Sequence, residues 1–198
     1  FGHGPRAALM IHCGLAHSAA WGRMARGLSG VLTMTAFDTP GHGRSAPWDA
    51  RDELQKMTAE IAADFLDAPA DIIGHSFGAT VALRLAALRP DLVRTLTLIE
   101  PVFFALAVQD RPDIGSEHAA TQGDFVSAME EGDMMAAARA FTRLWGDGTP
   151  WDTIPEAVQH TLADQMYLIA ASDSALNHDI GGMLSPGVLE AIDKPTLL

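Results

Sequence analysis

The chain has 198 residues, 48% of them hydrophobic, and carries 25 acidic against 13 basic side chains for a formal net charge of −12. That length allows one substantial core burying about 70% of the unfolded surface, and scattered acidic charge without a basic patch excludes a nucleic-acid partner. One cysteine excludes a disulfide framework and most zinc sites; with no signal peptide and no run near the roughly 18 apolar residues of a membrane helix, a cytoplasmic protein without a membrane partner is expected.

Ala7 to His12 is an apolar run and predicts a first strand. Trp21, Met24, Ala25 and Leu28 then recur at helical spacing. Val31 to Phe37 reads as the next strand and ends in Asp38-Thr39-Pro40-Gly41, a loop signal. Leu54, Met57, Ile61 and Phe65 mark a second amphipathic helix. Ala70-Asp71-Ile72-Ile73 is short, apolar and β-branched, the pattern of a buried strand. Phe77, Val81, Leu85 and Leu88 carry a helix that Arg89-Pro90 stops. Thr95 to Ile99 is a fourth strand, closed by Glu100-Pro101. The alternation predicts an α/β fold over residues 1–101, a mostly parallel sheet with helices on both faces.

From Val102 to about Pro186 the alternation stops. Helical periods run through Phe125 to Met129, Met134 to Trp145 and Ile154 to Ala171, the last opened by a capping box at Thr153 and Glu156. A helical insertion between strands is expected at the carboxyl edge of the sheet, so residues 102–185 read as a lid. Met134, Met135, Phe141, Trp145, Met166 and Tyr167 are there either to line a pocket or to pack a core. Residues 186–198 return to the first unit. Lys194-Pro195-Thr196-Leu197-Leu198 reads as a strand just beginning, and with Phe1 as first residue it suggests a fragment of a longer protein.

The densest chemical signal is Gly74-His75-Ser76-Phe77-Gly78, a G-x-S-x-G motif on the turn from strand to helix. A serine there must adopt strained backbone angles, and small neighbours at 74 and 78 let the chain pass close by. The hydroxyl then stands clear of the sheet, with the Phe77 N–H free at a helix N-terminus to bind a developing oxyanion. The plainer reading is a glycine-lined turn.

Three motifs in order now make the chain resemble the α/β-hydrolase family, cap-bearing serine hydrolases, over nearly its whole length. They are His12-Cys13-Gly14 with Trp21 downstream, Asp38-Thr39-Pro40-Gly41-His42-Gly43-Arg44-Ser45, and Gly74 to Gly78. The resemblance implies that Ser76 attacks a carbonyl to form an acyl-enzyme that water releases. It implies the Phe77 and Gly14 amides as oxyanion donors. Cys13 stands where the family has glycine, which leaves Leu15 as the alternative second donor. His17 and Leu15 border the implied pocket. His12, His42 and His75 orient backbone in motif loops, while His3, His118 and His160 read as solvated. The family's acid and histidine follow its seventh and eighth strands. Ile192 to Leu198 resembles only the lead into that seventh strand, so the first and last strands, the acid and the base are expected outside this chain. Within it, Glu100 is a candidate acid, and His178 a candidate base.

Gly41-His42-Gly43-Arg44-Ser45-Ala46 fits a dinucleotide pattern, but Pro47 follows and no helix opens there. No metal or cofactor is implied. The first functional reading is hydrolysis of a small carboxylic ester or related acyl compound through Ser76. The alternatives are carbon–carbon bond hydrolysis and a non-catalytic member that binds a small ligand.

Overall fold

The apolar runs form the strands of the computed structural model, which describes residues 1–198: β1 (Arg6–Ile11), β2 (Leu32–Ala36), β3 (Ala70–His75), β4 (Val93–Ile99) and a short β5 (Thr196–Leu197). All pair in parallel, in the order β2-β1-β3-β4-β5. Parallel strands covered on both faces lose the apolar–polar alternation, and β3 is buried without a break from Ala70 to Gly74. Leu9, Met10, Ile11, Ile72 and Leu96 fill the centre. Strand order reverses at β1, with β2 on one side and β3 on the other. The carboxyl ends of β1 and β3 therefore border the crevice where sheets of this kind bind ligands.

Three helices complete this part of the chain: α1 (Gly22–Leu28), α2 (Leu54–Asp64) and α3 (Phe77–Leu88). Helix α3 buries residues on every side, from Phe77 through Ala86, except Leu83. Near the amino ends of the strands, Asp71 accepts from Arg6 Nε and Nη2 at 3.0 and 2.9 Å, Arg94 Nε at 2.8 Å and Thr95 Oγ1 at 2.8 Å. Burial pushes its carboxyl up, but these hydrogen bonds prevail and hold it well below the usual carboxylate range. One side chain thus ties β1, β3 and β4.

The chain divides into two compact units, residues 1–103 with 171–198, and residues 104–170. The second is helical, with α4 (Phe104–Asp110), α5 (Pro112–Glu131), α6 (Met134–Trp145), α7 (Glu156–Asp164) and the start of α8 (Met166–Leu176). Helix α6 has the predicted bounds, and the Asp133 carboxylate caps it by accepting from the Ala136 N–H at 2.9 Å. The single helix expected over 154–171 is broken at Gln165, where the α7 carbonyls of Leu162 and Ala163 are closed off. The expected capping box does not form, because Pro155 holds the N-cap position and the Thr153 hydroxyl donates to the Pro150 carbonyl at 2.7 Å. His118 is no solvated position: its ring stacks on Phe104 with centroids 4.0 Å apart. Residues 171–185, expected with the helical segment, belong to the sheet-bearing unit. There Gly181 packs against the Arg84 guanidinium, and the Asp179 carboxylate accepts from the Met183 and Leu184 amides at 2.8 and 2.9 Å. No helix is long and apolar enough to cross a membrane.

Candidate active site

Ser76 links β3 to α3 with φ 53° and ψ −118°, angles that L residues avoid and that persist only where the surroundings impose them. Its amide donates to the Ile99 carbonyl at 2.9 Å, and its carbonyl accepts from the Ala79 and Thr80 amides at 2.9 and 3.3 Å. The backbone is therefore held on both sides. The Ser76 hydroxyl caps no amide of α3, so the Phe77 N–H remains an open donor in the first turn. The flanking glycines are required by contact. A Cβ on Gly74 would lie 2.3 Å from the Gly78 carbonyl oxygen, and one on Gly78 would lie 2.2 Å from that of Ile11. Helix α3 thus starts directly against the carboxyl end of β1, which brings the loop after β1 to the elbow.

That loop is a tight turn, closed by the Ala16 N–H donating to the Cys13 carbonyl at 3.3 Å, with Leu15 at φ 61°. Two buried imidazoles grip it. His12 Nε2 accepts from the Thr39 N–H at 3.0 Å and its Nδ1 lies 2.7 Å from the Cys13 carbonyl oxygen. His42 Nε2 accepts from the Leu15 N–H at 3.1 Å, and its Nδ1 faces the Pro40 carbonyl at 3.0 Å and Thr39 Oγ1 at 2.9 Å. A backbone N–H only donates, so each Nε2 carries a lone pair and each ring is neutral with its proton on Nδ1. Burial favours the same state, lowering His12 to about 4 and His42 below the ordinary histidine value. Asp38 secures the neighbouring loop by accepting from the Ser18 and Arg44 amides at 2.7 and 2.9 Å. Burial pushes the Asp38 carboxyl up, yet those amides keep it well below the usual carboxylate range.

The family model of the alpha/beta hydrolase fold matches residues 8–169. The chain belongs to that family. Lipase LipV of Mycobacterium tuberculosis is 33% identical over 163 residues, which are 81% of this chain and 59% of that protein. The pimeloyl-[acyl-carrier protein] methyl ester esterase of Nitrosomonas europaea is 38% identical over 98 residues, 50% of this chain and 38% of that one. The chain thus spans less than two thirds of each of these relatives. Among solved structures, a hydrolase from Pseudomonas aeruginosa aligns over 99% of this chain and 72% of its own, at 18% identity and a TM-score of 0.67. An alpha/beta hydrolase from Sphaerobacter thermophilus aligns over 98% and 74%, at 22% identity and 0.62.

Within this alpha/beta hydrolase, Ser76, Phe77 and the Gly14 turn stand at the adjoining ends of β3 and β1. Leu15 is not the spare oxyanion donor the sequence allowed, because its amide is spent on His42. His17 is exposed at the start of a short turn before α1. Glu100 directly follows β4 at φ 48°, its side chain 84% exposed, with Oε2 3.7 Å from His75 Nε2. His178 Nε2 lies 3.2 Å from Asp173 Oδ2 at the surface. Burial pushes the Cys13 thiol up, which keeps it a packing group. An open cavity of about 770 Å³ lies along α1, lined by Trp21, Met24, Leu28, His75 and Ile99. Its wall also includes His12 and Cys13, next to the Gly14 turn, but not Ser76. Sequence reasoning missed the particular bond from His42 to Leu15. The residues are 27 positions apart, and the usable signal was a histidine in the loop that follows β2, the strand next to β1.

Proposed function

We propose that the protein is a serine hydrolase that cleaves small carboxylic esters through an acyl-enzyme on Ser76. The observation that carries the reading is the strained elbow, φ 53° at Ser76, with the Phe77 amide open at the head of α3. The serine oxygen attacks the ester carbonyl, the carbonyl electrons move onto oxygen, and that oxyanion is bound by the Phe77 and Gly14 amides. Collapse breaks the bond to the alkoxide, which takes the proton lost by the serine and leaves as the alcohol; water then attacks the acyl group in the same way, releasing the acid and returning a proton to Ser76. The names of the relatives, a lipase and a methyl ester esterase, support an ester as substrate. The helical segment inserted between β4 and β5 is assigned the role of cap. Exchanging residues 104–170 for a relative's counterpart should then transfer acyl-chain preference.

A second reading, a non-catalytic ligand-binding member, draws on the histidines. The rings of His12, His42, His75 and His178 are engaged with other partners. The experiment uses the natural full-length protein, a fluorophosphonate probe and p-nitrophenyl butyrate. Labelling mapped to Ser76, with hydrolysis reduced about 10³-fold or more in Ser76→Ala, is expected. Hydrolysis that survives Ser76→Ala would overturn the serine assignment, and absence of both activities would favour the binding reading.

A further inference from the structure

Leu15 sits at φ 61°, where a residue with a Cβ is strained, and the turn that contains it is closed by one long hydrogen bond of 3.3 Å. Strain of that kind relaxes unless something outside the turn opposes it. The opposing contact is the 3.1 Å bond from the Leu15 N–H to His42 Nε2. The His42 ring cannot yield: it is buried, its Nδ1 is fixed by Pro40 and Thr39, and its edge meets the His12 ring at a centroid distance of 5.2 Å.

We propose that His42 is a positioning residue for the oxyanion-binding turn, holding Leu15 left-handed so that the Gly14 amide keeps its aim. The coupling runs through consecutive planar peptides. The Cys13–Gly14 peptide carries the Gly14 N–H, and its carbonyl is held by His12 and by the Ala16 amide. The Gly14–Leu15 peptide carries the N–H held by His42. With both planes pinned the turn has one shape. Released by His42, Leu15 returns to a relaxed φ and the Ala16 bond is lost, which leaves the Cys13–Gly14 peptide on the His12 contact alone and its N–H less closely aimed. His42 touches no reacting atom, and the inference rests on the serine-hydrolase reading above.

The test compares His42→Gln with His42→Asn in the natural full-length protein, assayed with p-nitrophenyl butyrate. Glutamine places an oxygen about where Nε2 stands, and it accepts the Leu15 N–H. Asparagine is one methylene short. His42→Gln is expected within about threefold of the parent in kcat. His42→Asn is expected to lose about 10- to 100-fold in kcat with KM within about threefold, since misaimed groups at a reacting centre cost up to about 10². Affinity for a trifluoromethyl ketone should fall in the same proportion as kcat. Equal kcat for the two variants at equal thermal stability, or a loss confined to KM, overturns the proposal. Fluorophosphonate labelling of Ser76 is read first. A parent that is unlabelled has failed the serine reading, whereas a labelled parent with indistinguishable variants has failed only this one.

Discussion

A methyl group on Gly78 would lie 2.2 Å from the Ile11 carbonyl oxygen and 2.5 Å from that of His12, with backbone on every near side. Neither strand nor helix can give way cheaply, because Ile11 and Ala79 are both fully buried. Gly78→Ala is therefore expected to cost about 1–3 kcal/mol and, by lifting α3 off β1, to reduce kcat about 100-fold. Urea unfolding and p-nitrophenyl butyrate turnover check the two effects. Gly123 in α5 is the control: a Cβ there meets nothing within 4 Å, and the residue is exposed. Gly123→Ala should stabilise by about 0.5–1 kcal/mol with activity unchanged. The elbow was legible in the sequence because its spacing is local and its backbone angles demand small residues two positions to either side of Ser76. The His42 to Leu15 bond was not, since only the sheet brings β1 and β2 together.

At the scale of elements, α2 shows how a polar contact joins two helices. The Glu53 carboxylate caps α2, accepting from the Gln55 and Lys56 amides at 2.6 and 2.9 Å, and pairs with Arg84 of α3 at 2.7 Å. The Arg84 side chain is only 8% exposed, and its other partner is Gln55 Oε1 at 2.9 Å. Removing Glu53 uncovers two amides and leaves a buried cation half-satisfied. Glu53→Ala is expected to destabilise by about 2–4 kcal/mol, read from urea midpoints at pH 7. Asp113→Ala, which breaks the exposed pair with Arg111, should leave the urea midpoint close to the parent's. Equal effects would mean that burial is not what gives Glu53 its weight. The sequence located the α2 start but not this cap, because glutamate is no usual N-cap residue. It also missed α4 and most of α5. Pro112 to Asp124 carries Gly115, Gly123 and scattered polar residues, so no apolar stripe announces a helix.

For the whole molecule the sharpest expectation is its response to acid, because its buried titratable groups respond at different pH. His12 is neutral and buried, lowered to about 4 by desolvation and by the neighbouring His42 and His17, against the opposing hydrogen bond to the Cys13 carbonyl and the pull of Asp38. His42 is displaced in the same direction by burial, opposed by Asp38. Between the ordinary histidine value and the folded one, the unfolded chain takes a proton that the native fold refuses. Stability from these two groups is therefore complete above about pH 6.5 and declines as pH falls toward 4. His12 alone accounts for a loss on the order of 3 kcal/mol over that range. Asp38 and Asp71 are displaced below their ordinary values, so their contribution persists above about pH 4 and is lost only at lower pH. Acidification also removes negative charge from a chain at −12, which relieves self-repulsion and works the other way. A His12→Gln variant separates the two influences, since it loses the buried titration and leaves the surface charge alone. Urea unfolding from pH 7 to 4 should show the parent losing stability steadily below about pH 6.5. The variant should be less stable at pH 7 but have a shallower slope, smaller by up to about 1.4 kcal/mol per pH unit. Identical slopes would mean that His12 takes up its proton in the folded state, and that the Thr39 amide does not keep its Nε2 bare.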